Sequence, residues 1–220
     1  MTRPIVAVLL ALPLAARAQV PKTEDDKTLY AIGYGTGKRV QFLQLKSTEL
    51  KVLEQGFHDA AAGAKAKIEP EGRQEAISTF VQARANAAAD KEKAASKDFL
   101  AKAAQEKGAQ KTASGLVFKV LRPANGPSPK ETDKVKVNYE GKLINGNVFD
   151  SSYKRGQPAE FLLNGVIKCW TEGVQKMHVG EEAQLVCPSE IAYGDRGSPP
   201  AIPGGATLIF KVELLGINGQ

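Results

Sequence analysis

The chain changes character near residue 110, and that change limits what it can fold into. Upstream, Ala, Lys, Glu and Gln dominate, residues that lose little rotamer freedom in a helix. Downstream, Val, Tyr and Phe alternate with polar residues between Gly and Pro punctuation, the pattern of half-buried strands and turns. Helices followed by strands, rather than strands alternating with helices, point to an α+β protein whose sheet forms one C-terminal domain. A chain of 220 residues has room for one large domain or two small ones.

The stretch 69–108 carries the longest helical signal. Pro70 suits a first helical position and Gly108 a C-terminal stop, and the only strong breaker between them is Gly72, in the first turn. Ile77, Phe80 and Val81 form an apolar patch near its start, and Phe99, Leu100 and Ala103 another near its end. The middle, ARANAAADKEKAASK, is Ala and charge. A helix polar through its middle usually bridges solvent, so 69–108 is predicted as a long connecting helix, a strut of roughly 55 Å. Its first patch faces the segment upstream and its last patch the linker or the domain downstream.

Residues 19–68 read as two shorter helices. Thr23 and Asp26 form a capping-box pattern before a helix over 24–38. Leu29, Gly33 and Gly37 recur every four residues there, beside Tyr30 and Tyr34, a spacing that invites close approach of another helix. A second helix, over 46–62, puts Leu50, Leu53, Phe57, Ala60 and Ala61 on one stripe. About forty residues rarely bury a sufficient core alone. The module therefore needs a partner, either a second copy of itself or its own downstream domain, and a homodimer through 19–68 is the economical expectation.

The first segment, MTRPIVAVLLALPLAARAQV, reads as a signal peptide over 1–18. Arg3 is its basic start, an apolar stretch follows, and Ala16 and Ala18 are small residues at the cleavage positions. The stretch is too short to span a bilayer, and no other segment approaches that length, so no membrane span is expected. Removing Arg3 and Arg17 lowers the formal charge from +6 to +4 (6 − 2). The lysines are interspersed with acids and form no basic block beside aromatics, so nucleic acid is not an expected partner. Export leads to the periplasm, or alternatively to a secreted or outer-membrane-associated protein. Cys169 and Cys187 then sit in an oxidising compartment, where a disulfide and two separate buried thiols are both open readings.

From Ser114 the chain reads as one β-rich domain. Candidate strands are 116–121, 134–140, 147–149, 160–163, 182–187 and 207–215. Asn145-Gly146 marks a hairpin turn. One helical pattern, Trp170, Val174 and Met177, begins near Thr171 and ends before Gly180.

Three segments of this half, VKVNYEGKLINGNVFDSS, FLLNGVIKCWTEGVQKMHVGEEAQLVCPSEIAYGDRG and IPGGATLIFKVELL, resemble the FKBP-type peptidyl-prolyl cis-trans isomerases. The resemblance covers 114–217. The layout upstream is similar to the N-terminal dimerisation region of the exported, macrophage-infectivity-potentiator-like members. The resemblance implies an antiparallel half-barrel sheet wrapped on a short helix, with the substrate pocket between them. By that likeness Tyr139, Phe149, Phe161 and Phe210 line the walls, Trp170 is the floor, and Val166 and Ile167 form the edge. The Ile167 N–H would take a substrate carbonyl, Asp150 would be a polar acceptor, Tyr193 would set its hydroxyl over the mouth, and Ile202 would overhang it. The catalytic set is then Tyr139, Phe149, Asp150, Ile167, Trp170 and Tyr193, with Phe161, Val166, Ile202 and Phe210 binding substrate. Three positions depart from the family pattern. Cys169 stands where many members have Gly, Ala159 where well-known single-domain members carry an aromatic, and Ser198 where those members often have His.

The implied reaction is rotation about X–Pro bonds in polypeptides that are still folding, with chaperone activity besides. No cofactor is implied, and inhibitors of the FK506 macrolide type are possible ligands. The alternative is a binding-only chaperone that keeps the pocket without significant catalysis. A hydrolase lacks its nucleophile-elbow motif here, since GxSxG is absent. His58, His178 and the cysteines match no metal framework.

Overall fold

The computed structural model describes residues 20–219; the expected signal peptide over 1–18 lies outside them. These residues fall into two compact units, one ending at Lys38 and one running from Arg39 onward.

In the first unit lies most of helix α1 (Glu24–Val40). Its start is closed reciprocally: the Asp26 N–H donates to Thr23 Oγ1 at 3.0 Å and the Thr23 N–H to Asp26 Oδ2 at 3.1 Å. Leu29, Tyr30, Ile32 and Tyr34 are all exposed.

In the second unit a 3-10 turn (Gln41–Leu43) with buried Leu43 precedes helix α2 (Ser47–Ala61), where the Lys46 N–H donates to Glu49 at 2.8 Å. Leu50, Val52, Leu53 and Phe57 remain exposed. A 3-10 turn at Pro70–Arg73 absorbs Gly72 and leads into α3 (Gln74–Gln105), 32 residues without a break. Arg84 on α3 ion-pairs with Glu49 on α2.

The sheet is antiparallel throughout. Its strands are β1 (Ala109–Lys111), β2 (Val117–Arg122), β3 (Lys134–Leu143), β4 (Val148–Ser151), β5 (Ala159–Leu162), β6 (Glu182–Cys187) and β7 (Leu208–Ile217). The order is β1-β2-β6-β7-β3-β4, with β5 also pairing β3. β3 can serve both because its first half, Lys134 to Val137, pairs β5 and its second half, from Glu140, pairs β4. A short α4 (Ser152–Arg155) follows β4, and α5 (Lys168–Gln175) fills the concave face.

Period-2 alternation sorts the two faces of the sheet. Leu116, Phe118, Val135, Val137, Tyr139, Ala183, Leu185, Leu208, Phe210, Val212 and Leu214 point to one core with Trp170 and Val174 of α5. Gly173 lets α5 come close, because a Cβ there would lie 2.9 Å from Leu185 Cγ. Val117, Val186 and Ile209 point the other way and pack under Phe99, Leu100 and Ala103 of α3.

The expectation of a solvent-bridging strut is corrected. Ala88 (9%), Ala89 (0%) and Ser96 (1%) in the middle of α3 are buried. Ala89, Ser96 and Ala103 recur every seven residues on one face, and at Ala89 the small side chain lets the helix lie against the backbone around Gly205. The charges of this Ala-rich stretch outnumber its large apolar groups, which gives it a polar pattern. What buries it is close contact, for which Ala and Ser suffice. The first patch also differs, since Ile77 and Phe80 stay exposed.

Candidate active site

The site is assembled where β3, β4, β5, β7 and α5 converge. Tyr139 comes from β3, Phe149 and Asp150 from β4, Phe161 from β5, and Phe210 from β7. Gly141 makes room between two of them, because a Cβ there would lie 2.6 Å from the Phe149 ring and 2.8 Å from the Phe210 ring. Trp170 sits in the first turn of α5 with its indole 5.1 Å from Tyr139, 5.7 Å from Phe161 and 5.4 Å from Phe210, centroid to centroid. All three pairs are edge-to-face, the arrangement aromatic quadrupoles favour by about 0.5–1.5 kcal/mol each. Phe149 meets Phe210 in the same way at 5.7 Å.

The indole lies deep: Trp170 is 4% exposed, Ile202 4% and Tyr139 5%. Its Nε1–H is buried and finds no acceptor among the described residues. At the edge of the site Phe149, Phe161, Val166 and Ile167 are half-buried. Ile167 caps α5: its carbonyl accepts from the N–H groups of Trp170 (2.9 Å) and Thr171 (3.1 Å), while its own N–H has no backbone acceptor among the described residues. Below the indole, Cys169 is joined by a disulfide to Cys187 at the end of β6, both fully buried.

One corner of the site is polar. The Tyr139 hydroxyl donates to Asp150, Asp150 ion-pairs with Arg155, and Arg155 Nη2 donates to the Tyr139 hydroxyl at 3.0 Å. The guanidinium also lies 5.4 Å from the Tyr139 ring centroid. Burial pushes the Asp150 carboxyl up, but the Tyr139 and Arg155 hydrogen bonds and the Arg155 charge outweigh it and hold it below the usual carboxylate range. Burial and the Asp150 hydrogen bond raise the Tyr139 hydroxyl. The backbone is tied here too, since the Tyr139 N–H donates to buried Ser152 Oγ at 2.8 Å.

Arg155, Gly141 and Ser152 were not singled out from the sequence. Arg155 had a local signal: SSYKRG after Asp150 forms one helical turn, closed by Gly156 at φ 72°, which swings the guanidinium back onto Asp150. Gly141 had none, because its reason is the two rings above it. Tyr193 stands apart from the aromatic cluster. It is 41% exposed on the loop between β6 and β7, and its hydroxyl has no hydrogen-bond partner among the described residues. No group of metal-ligating side chains occurs among the described residues, and no helix among them is long and apolar enough to cross a membrane.

A sheet curled on one short helix, with edge-to-face rings and a Tyr–Asp–Arg corner, defines a class that holds an apolar group against aromatic walls. The family model described as FKBP-type peptidyl-prolyl cis-trans isomerase matches residues 126–215, and the one described as the domain amino terminal to it matches 25–120. The chain belongs to the FKBP-type peptidyl-prolyl cis-trans isomerases, and it carries their N-terminal domain as well as the catalytic one. It is 37% identical to the peptidyl-prolyl cis-trans isomerase Mip of Coxiella burnetii, over 98% of this chain and 96% of that one. It is also 37% identical to FkpA of Escherichia coli K12, over 90% and 77%. The crystal structure of Escherichia coli FkpA superposes with a TM-score of 0.67 at 36% identity, covering 90% of this chain and 99% of that one. An isomerase structure from Pseudomonas syringae gives 0.55 at 34% identity over 59% of this chain and 95% of that one.

Proposed function

We propose that this isomerase accelerates X–Pro rotation by taking the bond out of water in the aromatic cluster. A planar amide is held by resonance, with a rotation barrier of about 18–20 kcal/mol. Its dipole is stabilised by water and is lost on twisting, so a dry wall penalises the planar form more than the twisted one. The prolyl ring docks at the Phe149, Phe161 and Val166 rim above Trp170, and the Ile167 N–H and Tyr193 hydroxyl hold the carbonyls on either side. Asp150, kept ionised by Tyr139 and Arg155, is the polar acceptor that orients the twisting amide. The observation that carries this reading is a cluster of five edge-to-face ring pairs with one ionised corner. The test is a protease-coupled isomerisation assay on a short prolyl peptide. Asp150→Ala should lower kcat/KM about tenfold, near 1.4 kcal/mol of barrier. An unchanged rate would remove Asp150 from the mechanism.

The signal peptide over 1–18 directs the chain to the periplasm, where X–Pro isomerisation over tens of seconds limits folding. Two copies join through 19–68, burying Leu29, Tyr30, Ile32 and Tyr34 of α1 and Leu50, Leu53 and Phe57 of α2, which otherwise stand exposed. A client held by both copies gains avidity, and inhibitors of the FK506 macrolide type compete at the ring cluster. Deleting 19–68 should leave a monomer by light scattering that turns over peptide but suppresses client aggregation poorly; equal suppression by both forms would end the chaperone reading.

A further inference from the structure

The buried middle of α3 lies against the loop over 193–206, which carries Tyr193 and Ile202. Gly205 has φ +74°, and a Cβ there would lie 2.8 Å from Ala89 Cα, so helix and loop backbones touch. At Gly204 a Cβ would lie 3.6 Å from Ala89 Cβ. One turn further along α3, Lys93 ion-pairs with Asp195, two residues after Tyr193. The loop itself is closed by hydrogen bonds. The Gly205 N–H donates to the Gly194 carbonyl at 2.9 Å and the Gly197 N–H to the Tyr193 carbonyl at 3.0 Å, while Ser198 and Ile202 exchange bonds of 2.8 and 3.0 Å. Ile202 and Ala206 continue into the cluster around Trp170. Helix α3 therefore grips both arms of one cross-linked loop, the arm of Asp195 with Lys93 and the arm of Gly205 with Ala89.

We infer that Ala89 and Lys93 are positioning residues for the isomerase: α3 holds the 193–206 loop where Tyr193 and Ile202 meet the polypeptide. This rests on the pocket reading above, in which the loop contributes to binding while the rings lower the barrier. A loop displaced by α3 loses contacts made equally in ground and transition states, which raises KM and spares kcat.

The test uses the full-length chain and a short prolyl peptide, with kcat and KM determined separately. Ala89→Leu forces the helix off the glycines and should raise KM about tenfold with kcat kept within about twofold. Ala87→Leu, the same enlargement at an exposed position of α3, should change neither. Lys93→Glu should raise KM about threefold, a modest change because the pair is partly solvated, and adding Asp195→Lys should restore it. Tyr193→Ala is the reference for the loop. Should Ala89→Leu and Lys93→Glu leave KM untouched while Tyr193→Ala raises it, the positioning inference is wrong and the pocket reading stands. Should Tyr193→Ala be silent as well, the loop is no part of the pocket and both fall. A loss of kcat and thermal midpoint without a KM change, or no recovery in the charge swap, reduces α3 to a purely structural prop and also overturns the inference. If Ala89→Leu fails to fold, the Lys93 and Asp195 cycle decides alone.

Discussion

Reducing the Cys169–Cys187 disulfide should cost the isomerase domain about 3 kcal/mol. The bond ties the first turn of α5 to the end of β6 across 18 residues of sequence. Cross-linking a loop of that length removes denatured-chain entropy of roughly 10–11 cal/mol/K, about 3 kcal/mol at 25 °C. Both sulfurs are fully buried beside Trp170, so the native packing adds to this rather than relieving it. The chain holds one Trp, and its indole lies inside the ring cluster. Its fluorescence thus reports unfolding of this domain and is silent on the helices upstream. Urea unfolding of the oxidised protein, the reduced protein and the Cys169→Ala/Cys187→Ala variant should separate the first from the other two. With an m-value near 2 kcal/mol/M the midpoint difference is about 1.5 M. A difference below about 1 kcal/mol would refute the reasoning, since the link would then be absent in solution or the reduced chain already as constrained as the oxidised one.

Other perturbations follow from single contacts. Gly173→Ala drives a methyl into Leu185 and should destabilise by about 1–3 kcal/mol, read as an earlier urea midpoint. Glu181 is 3% exposed with Oε1 unpartnered among the described residues, and burial raises its carboxyl pKa. Its charged form is penalised in the folded state, so it favours folding below the ordinary carboxylate range and disfavours it as pH rises through the raised value. Glu181→Gln should therefore stabilise the protein at pH 7 by about 1 kcal/mol and flatten stability against pH above the ordinary carboxylate range. Asp150 has the opposite shift and stays ionised down past its ordinary value near 3.9. Peptide isomerisation should hold level from about pH 5 to 8 and decline only in stronger acid; a step in kcat/KM inside that range would contradict the Tyr139–Asp150–Arg155 assignment.

The local pattern of the sequence determined most of the architecture. Alternation placed Val135, Val137 and Tyr139 on one face of β3, and Leu208, Phe210, Val212 and Leu214 on one face of β7, because a strand has only two sides. Pro70 and Gly108 bracketed the long helix, although its first turn is 3-10 and Gln105 ends it. The ring cluster was legible only through the resemblance of three ordered segments to the isomerase family, since an aromatic on a strand carries no local mark of whether it fills a core or lines a pocket. Three features were decided only by tertiary structure. Arg155 joins Asp150 because α4 turns it back; Cys169 and Cys187 meet because α5 crosses the sheet there; and the Ala-rich face of α3 is buried because glycines at 204 and 205 leave room for a backbone. Each of these depends on groups distant in sequence arriving within a few ångströms, and an Ala or a Gly carries no mark of whether water or another chain segment will lie against it. That is why a helix legible as a solvated strut proves to be held against the loop that carries Tyr193.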